Sequence, residues 1–157
     1  MTRASGIRVL AALAAAALLP AFPAAAAAKP ERERHRIDVA AVTATTGTNA
    51  HGDVVDRGTT SGKPFNGGKI KLVVHFDIPT ATATGTFRIR DGRGTALGTF
   101  EMAFVIAGGE IDFNGTADIT GGKGAYKGIK ARNLKAHDHN TLDGQNGTVE
   151  LKGFARY

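Results

Sequence analysis

Strict alternation of apolar and polar residues is the feature of this sequence that most restricts its fold. In KIKLVVHFDI (residues 69–78) every second residue is apolar, and ALGTFEMAFVIA (96–107) repeats the pattern. Successive side chains of a β-strand point to opposite faces, so a period of two indicates strands with one buried face. Further stretches with this rhythm are 37–45, 83–90, 110–120 and 147–157.

Short turn signals separate these strands. They are Asp91-Gly92, Gly108-Gly109, Gly121-Gly122, Asp143-Gly144 and Asn146-Gly147. Many short strands with regular turns and one continuous apolar face are typical of a closed barrel or a sandwich, and closure removes exposed sheet edges. The pattern predicts an all-β fold of seven or eight antiparallel strands over residues 37–157, arranged as a closed barrel or a sandwich. The less regular region 46–68 is expected to contain one strand near Val54 and a long loop.

The N-terminal region has the pattern of a secretory signal peptide. Arg3 and Arg8 form a basic start, an apolar core runs from Val9 to Leu19, and a run of alanines ends at Ala28. This core is shorter than the roughly 20 apolar residues that a membrane span needs. We therefore expect residues 1–28 to be a signal peptide on a secreted protein without a membrane span. Residues 29–36, KPERERHR, are expected to be a charged, disordered arm.

Composition excludes several classes of function. The chain has no cysteine, which excludes thiol catalysis, Cys-ligated zinc and disulfide exchange. Its net charge of +6 is concentrated towards the N-terminus, and the barrel segment has no basic patch with interleaved aromatic residues. We therefore expect no nucleic-acid partner.

The glycine-rich stretch ITGGKGAYKG (119–128) looks at first like a phosphate-binding loop. A dinucleotide fingerprint needs a glycine where Lys127 stands, and a P-loop lysine needs a following Ser or Thr. Here Gly124 and Gly128 follow the two lysines. We interpret the stretch as a β-barrel corner, in which Gly121 and Gly122 take positive φ after the strand ends and the chain then packs back.

The segment ITGGKGAYKGIKARNL (119–134) resembles the corner of the allene oxide cyclase and dirigent proteins. The resemblance extends to GEIDFNGTADI (109–119) and to VELKGFARY (149–157). It implies a single eight-stranded antiparallel β-barrel of calycin-like architecture, which is the fold that we predict for residues 37–157. It implies no catalytic residue, because the functional acids of that family have no counterpart here. Both a homo-oligomer and a monomer stay open. The fold corner that it implies consists of Gly121, Gly122, Gly124, Tyr126 and Gly128.

The inward phase of the strands predicts an apolar lumen. These side chains either fill the barrel or line a pocket for a small hydrophobic molecule. The same phases place no ionisable group inside. The candidate lumen residues are Leu72, Val74, Phe76, Phe87, Phe100, Met102, Phe104 and Phe113.

Three functions are consistent with this pattern. The leading hypothesis is an exported barrel that binds a small hydrophobic ligand in its lumen without a cofactor. The second is a cofactor-free cyclase or isomerase that folds a flexible hydrophobic substrate into a reactive shape. The third is a non-catalytic cell-surface or structural module that uses the polar outer face and the charged arm.

The motif HDHN (137–140) contains the best metal-ligand candidates. On a strand, His137 and His139 project from one face, and imidazole is a common metal ligand. Two histidines alone do not form a metal site, and Asn140 and Asp143 nearby favour a solvated loop. We therefore expect no metal cofactor.

Overall fold

The computed structural model describes residues 33–157, so the predicted signal peptide lies outside the described residues, as do residues 29–32 of the predicted arm. Each strand pairs antiparallel with its sequence neighbours, and β1 also pairs with β8, which closes the barrel. The described range contains no helix. The prediction of an all-β, eight-stranded antiparallel barrel is confirmed. The strands are β1 (Arg34–Thr48), β2 (Val54–Lys63), β3 (Lys69–Asp77), β4 (Thr82–Asp91), β5 (Gly94–Ala107), β6 (Glu110–Gly124), β7 (Ala131–Thr141) and β8 (Gly147–Arg156).

Two predicted boundaries are wrong. Strand β1 begins at Arg34, inside the segment predicted as a disordered arm, because Arg34 pairs with Arg156 at the end of β8. Strand β2 occupies ten residues of the region predicted to be mostly loop. Its inward positions include Asp56, Gly58 and Thr60, so it has almost no apolar alternation to indicate a strand.

One end of the barrel is closed by a cluster of buried side chains, here called the plug: Phe65, Tyr126 and Ile129. Each is at most 1% exposed, and the rings of Phe65 and Tyr126 meet edge to face with centroids 4.8 Å apart. The Tyr126 hydroxyl donates a hydrogen bond to the carboxylate of Asp91 and accepts one of 2.6 Å from Arg93. Buried apolar surface and satisfied polar groups together seal this end.

The glycine-rich corner differs in detail from its prediction. Strand β6 continues through Gly121 and Gly122 to Gly124, and the turn follows at residues 125–130. Positive φ occurs at Gly124 (66°) and Gly128 (81°) but not at Gly121 or Gly122. Gly122 is instead required by close approach, because a Cβ there would lie 2.5 Å from the Tyr126 carbonyl oxygen.

Glycines on the inner face make room for large side chains in the middle of the barrel. At three of these glycines an added Cβ would overlap the large side chain directly opposite. Alternation of small and large residues is how narrow barrels fill their interior. The pairs are Gly85 with Phe100, Gly98 with Phe87, and Gly115 with Met102.

Candidate ligand-binding site

The other end of the barrel, here called the mouth, opens into a cavity of about 360 Å³. The turns at 49–53, 78–81, 108–109 and 142–146 surround it. Two backbone hydrogen bonds fix the last of these turns: Thr45 donates to Gly144 over 2.7 Å, and Leu142 donates to Gly109 over 3.0 Å. The volume lies within the range of small-molecule pockets, roughly 300–1,000 Å³.

One side of the cavity is an apolar wall contributed by β3, β5 and β6. It includes three phenylalanines, Phe76, Phe104 and Phe113, here called the phenylalanine triad. Every pair in the triad has ring centroids 5.7–5.9 Å apart. Val74 and Met102 line the same side. Five of the eight candidate lumen residues therefore lie at the cavity.

The other three candidates, Leu72, Phe87 and Phe100, lie deeper. They surround a void of only about 10 Å³, which is too small to hold more than one water molecule. The sequence left open whether the lumen is filled or lines a pocket. The structure shows both states in one barrel, a packed half towards the plug and an open half at the mouth.

The opposite side of the cavity is a polar wall contributed by β1, β2 and β7. It contains two carboxyl groups, Asp56 and Asp138, which are 7% and 4% exposed. The expectation that the lumen has no ionisable group is therefore wrong. Thr45 and Asn140 lie beside them on this wall.

Among the groups that line the cavity, Asp138 has the pKa that departs most from its ordinary value. Burial raises its pKa to about 7, and the negative charge of Asp56 contributes in the same direction. The side-chain amide of Asn140 donates a 2.8 Å hydrogen bond to Asp138 and opposes this rise. The carboxyl therefore changes its protonation state near neutral pH.

Asp56 lies across the polar wall under similar conditions. Burial raises its pKa, and a 2.7 Å hydrogen bond from the Thr45 hydroxyl lowers it. Among the described residues that line the cavity, none is Lys, Arg or His. Neither carboxyl has a basic partner inside the cavity, and two interacting carboxyls titrate as a coupled pair.

The edge of the mouth is largely apolar. Ile78, Ile106 and Leu142 border the cavity and are 65%, 52% and 56% exposed. Alternation assigned Ile106 to the barrel interior, but its position at the end of β5 leaves it at the edge of the mouth. An exposed apolar edge around an apolar cavity is a feature of ligand-binding sites.

The sequence contained one usable signal for the carboxyl pair. Asp138 is in phase with Leu134 and Ala136, which are both buried, so extending the alternation of β7 by two residues places it inward. The interpretation of HDHN as a loop concealed this phase. Asp56 had no such signal, because β2 has little apolar pattern.

The two candidate metal ligands lie outside the barrel. His137 and His139 share the outer face of β7, a strand rather than the predicted loop. His137 forms a 3.0 Å hydrogen bond with Asn114, and His139 forms one of 2.9 Å with Asp112, which raises the pKa of His139. Within residues 33–157, no group of three or more His, Cys, Asp or Glu side chains is arranged to hold a metal ion.

Over the described range, no helix has the length and apolar character needed to cross a membrane. Comparisons of the chain with protein-family models, with curated proteins and with solved structures find no match.

Proposed function

We propose that this chain is an exported β-barrel related to the allene oxide cyclase and dirigent proteins, and that it binds a small hydrophobic molecule at its mouth. The observation that carries the binding proposal is a cavity of about 360 Å³ with one apolar wall, in a barrel whose other end is closed. The closed eight-stranded architecture and the glycine-rich corner support the relationship. The pattern of residues 1–28 supports export.

The apolar edge of the mouth extends the surface available to a ligand. Ile78, Ile106 and Leu142 continue the apolar wall outwards from the phenylalanine triad. A ligand longer than the cavity would remove these exposed side chains from water, which stabilises the complex in proportion to the apolar area buried. We therefore expect an elongated hydrophobic ligand.

Fluorescence titration with N-phenyl-1-naphthylamine tests the binding proposal. This neutral probe emits more strongly in apolar surroundings, so a rise in its fluorescence reports binding. We expect saturable binding at one site and displacement of the probe by decanol. A linear, non-saturating signal would contradict the proposal.

Native mass spectrometry of protein taken from its own culture medium tests export and the number of subunits. A mass corresponding to loss of residues 1–28 supports export, and a full-length mass contradicts it. The same spectrum gives the number of subunits. It also reports whether a small molecule is retained.

A second candidate function, a cofactor-free isomerase or cyclase, is favoured by one observation. Asp138, with a pKa of about 7, lies in an apolar cavity together with a second carboxyl, Asp56. In such a pair one protonated carboxyl is able to donate a proton while the ionised carboxyl accepts one.

Proton exchange with solvent tests this candidate. A hydrophobic β,γ-unsaturated ketone incubated with the protein in D₂O is followed by NMR for migration of the double bond and uptake of deuterium. We expect both to be faster than without protein and to be lost in Asp138→Asn but kept in Asp77→Asn, a change on the exposed outer face of β3. Equal rates in the two variants would contradict an acid–base role.

A further inference from the structure

We propose that the ligand is a hydrophobic organic cation, an amine or quaternary ammonium compound whose charged head lies between the carboxyls of Asp56 and Asp138 and the phenylalanine triad. This inference rests on the proposed function and adds the chemical class of the ligand. Three features of the cavity lead to it.

The first feature is the lack of a basic partner for the carboxyls. Each accepts one side-chain hydrogen bond, from Thr45 to Asp56 and from Asn140 to Asp138. Within the described cavity lining there is no Lys, Arg or His. Burying an unpaired charge is costly, so a cation that enters the cavity gains from both carboxyls.

The second feature is the phenylalanine triad on the facing wall. Phe76, Phe104 and Phe113 all line the cavity, and each ring contacts the other two. The face of an aromatic ring carries negative potential and attracts cations, most strongly where water is excluded. Carboxyls on one wall and rings on the other therefore favour the same sign of charge.

The third feature is the apolar character of the remaining lining and of the edge. Val74, Met102 and Ile111 lie within the cavity, and Ile78 and Leu142 lie at its edge. These side chains have no polar atoms to replace the water around an inorganic ion, but they can pack against an alkyl or aryl tail. The carboxyls in turn disfavour a fatty acid or another anion.

The titratable groups around the proposed cation-binding site are few. Asp56 and Asp138 face the cavity, Asp143 lies at its edge, and His139 projects outwards from the strand that carries Asp138. The pKa of Asp138 is raised to about 7 and that of Asp143 is lowered by hydrogen bonds from Thr141 and the Gln145 backbone. The charge inside the cavity therefore becomes more negative between mildly acidic and mildly alkaline pH.

Calorimetric titration with three probes that each carry a ten-carbon chain tests the inference: decyltrimethylammonium and decanoate below their micelle concentrations, and decanol below its solubility limit. At about pH 8 we expect the cation to bind about tenfold more tightly than decanol, since cation–π and charge-assisted contacts add to the shared apolar contacts. Decanoate is expected to bind least tightly. The quaternary ammonium group has no proton to lose, so its weaker binding at about pH 5 reports protonation of the cavity carboxyls.

Carboxamide variants assign the preference to the cavity. We expect Asp138→Asn and Asp56→Asn each to reduce the preference for the cation over decanol severalfold while decanol binding changes little. Asp77→Asn is the matched control on the outer face and is expected to keep the preference. Circular dichroism shows whether each variant is folded. If one variant does not fold, the three-probe series on the unmodified protein still tests whether the cavity prefers a cation.

The outcomes separate the inference from the function on which it rests. Binding of none of the three probes overturns ligand binding in the lumen and the inference with it. Binding of decanol as tightly as the cation overturns the cationic class and leaves hydrophobic ligand binding intact. A cation preference that survives unchanged in both cavity variants also overturns the inference, because the charge is then recognised elsewhere.

Discussion

At the scale of single residues, Asp138 has the most unusual physical state of the described carboxyls. Folding transfers it from water to the wall of an apolar cavity, and the charge of Asp56 opposes its ionisation. Its pKa rises from an ordinary 3.8 to about 7. The folded protein therefore binds this proton more tightly than the unfolded chain does.

This difference predicts a specific dependence of stability on pH. Between about pH 4 and pH 7 the unfolded chain has lost the proton while the folded protein keeps it, so the free energy of unfolding falls as pH rises and then levels off. Asp138→Asn cannot ionise and is expected to lack the part of this fall that Asp138 contributes, whereas Asp56, whose pKa burial also raises, keeps its own part. The difference in the free energy of unfolding between the variant and the unmodified protein should therefore shift in favour of the variant by roughly 2–4 kcal/mol from about pH 4 to pH 8. Urea unfolding at the two pH values measures this shift.

Asp77→Asn provides the reference for that measurement. Asp77 is exposed on the outer face of β3, so its replacement leaves the pH dependence of the unmodified protein in place. Parallel stability curves for the unmodified protein and Asp138→Asn would show that Asp138 titrates normally.

A second prediction at this scale concerns the packing of inward glycines. A Cβ at Gly98 would overlap the Phe87 ring and the Asp118 carbonyl oxygen, whereas a Cβ at Gly121, on the adjacent strand, has no atom within 4 Å. We expect Gly98→Ala to lower the free energy of unfolding by roughly 1–3 kcal/mol, as overpacked cores do. Gly121→Ala should change it by less than about 1 kcal/mol. Similar losses in thermal or urea unfolding of the two variants would contradict this account of barrel packing.

At the scale of elements, a strand could be predicted where apolar residues on its inner face alternate with polar residues on its outer face. Strand β5 alternates Phe100, Met102 and Phe104 with exposed residues, and its existence was evident from the sequence. Strand β2 offers Asp56, Gly58 and Thr60 to the interior. Asp56 is accepted because the mouth is open, and Gly58 because a Cβ there would overlap the Val42 carbonyl oxygen. The Thr60 hydroxyl donates a hydrogen bond to the Phe65 carbonyl at the plug, so each of these reasons appears only in the assembled barrel.

The glycine-rich corner is a second feature that a single sequence predicts only in part. The sequence correctly indicated a corner, but it did not indicate which glycines adopt positive φ. That depends on where β6 stops pairing with β5, and β6 pairs as far as Gly124 opposite Gly94. The corner then places Tyr126 in the plug.

The plug predicts that its tyrosine hydroxyl matters for stability but not for binding. Tyr126→Phe removes the hydrogen bond to Asp91, whose carboxylate keeps the backbone N–H groups of Arg93 and Gly94 as donors. We expect the free energy of unfolding to fall by roughly 1–3 kcal/mol. Probe binding at the mouth should stay unchanged, since the plug lies at the opposite end.

Tyr157→Phe is the matched control for the plug. Tyr157 lies at the same end, with its ring centroid 6.0 Å from that of Tyr126, and among the described residues its hydroxyl forms no hydrogen bond. Its replacement should cost less than about 0.5 kcal/mol. Equal losses in the two variants would contradict a specific role for the Tyr126 hydroxyl.

At the scale of the whole molecule, the barrel is asymmetric along its length. The half towards the plug is packed by large side chains laid over glycines, and the half at the mouth is open. Alternation and turn spacing predicted seven or eight strands in a closed barrel or a sandwich, and the resemblance of the glycine-rich corner implied the eight-stranded barrel. The division into two halves follows from cross-strand pairs such as Gly98 with Phe87, which a single sequence does not specify.

The central claim is that the open half of the lumen binds a hydrophobic molecule, and a pair of matched substitutions tests it most directly. Val54 lines the cavity, whereas Val105 is 67% exposed on the outer face of β5. Val54→Trp fills the cavity and Val105→Trp adds the same ring outside it, so both are titrated with N-phenyl-1-naphthylamine alongside the unmodified protein. We expect Val105→Trp to bind like the unmodified protein and Val54→Trp to bind at least about tenfold more weakly, since the cavity is the apolar volume that the probe occupies. Equal affinities for the two variants would show that the lumen is not the binding site.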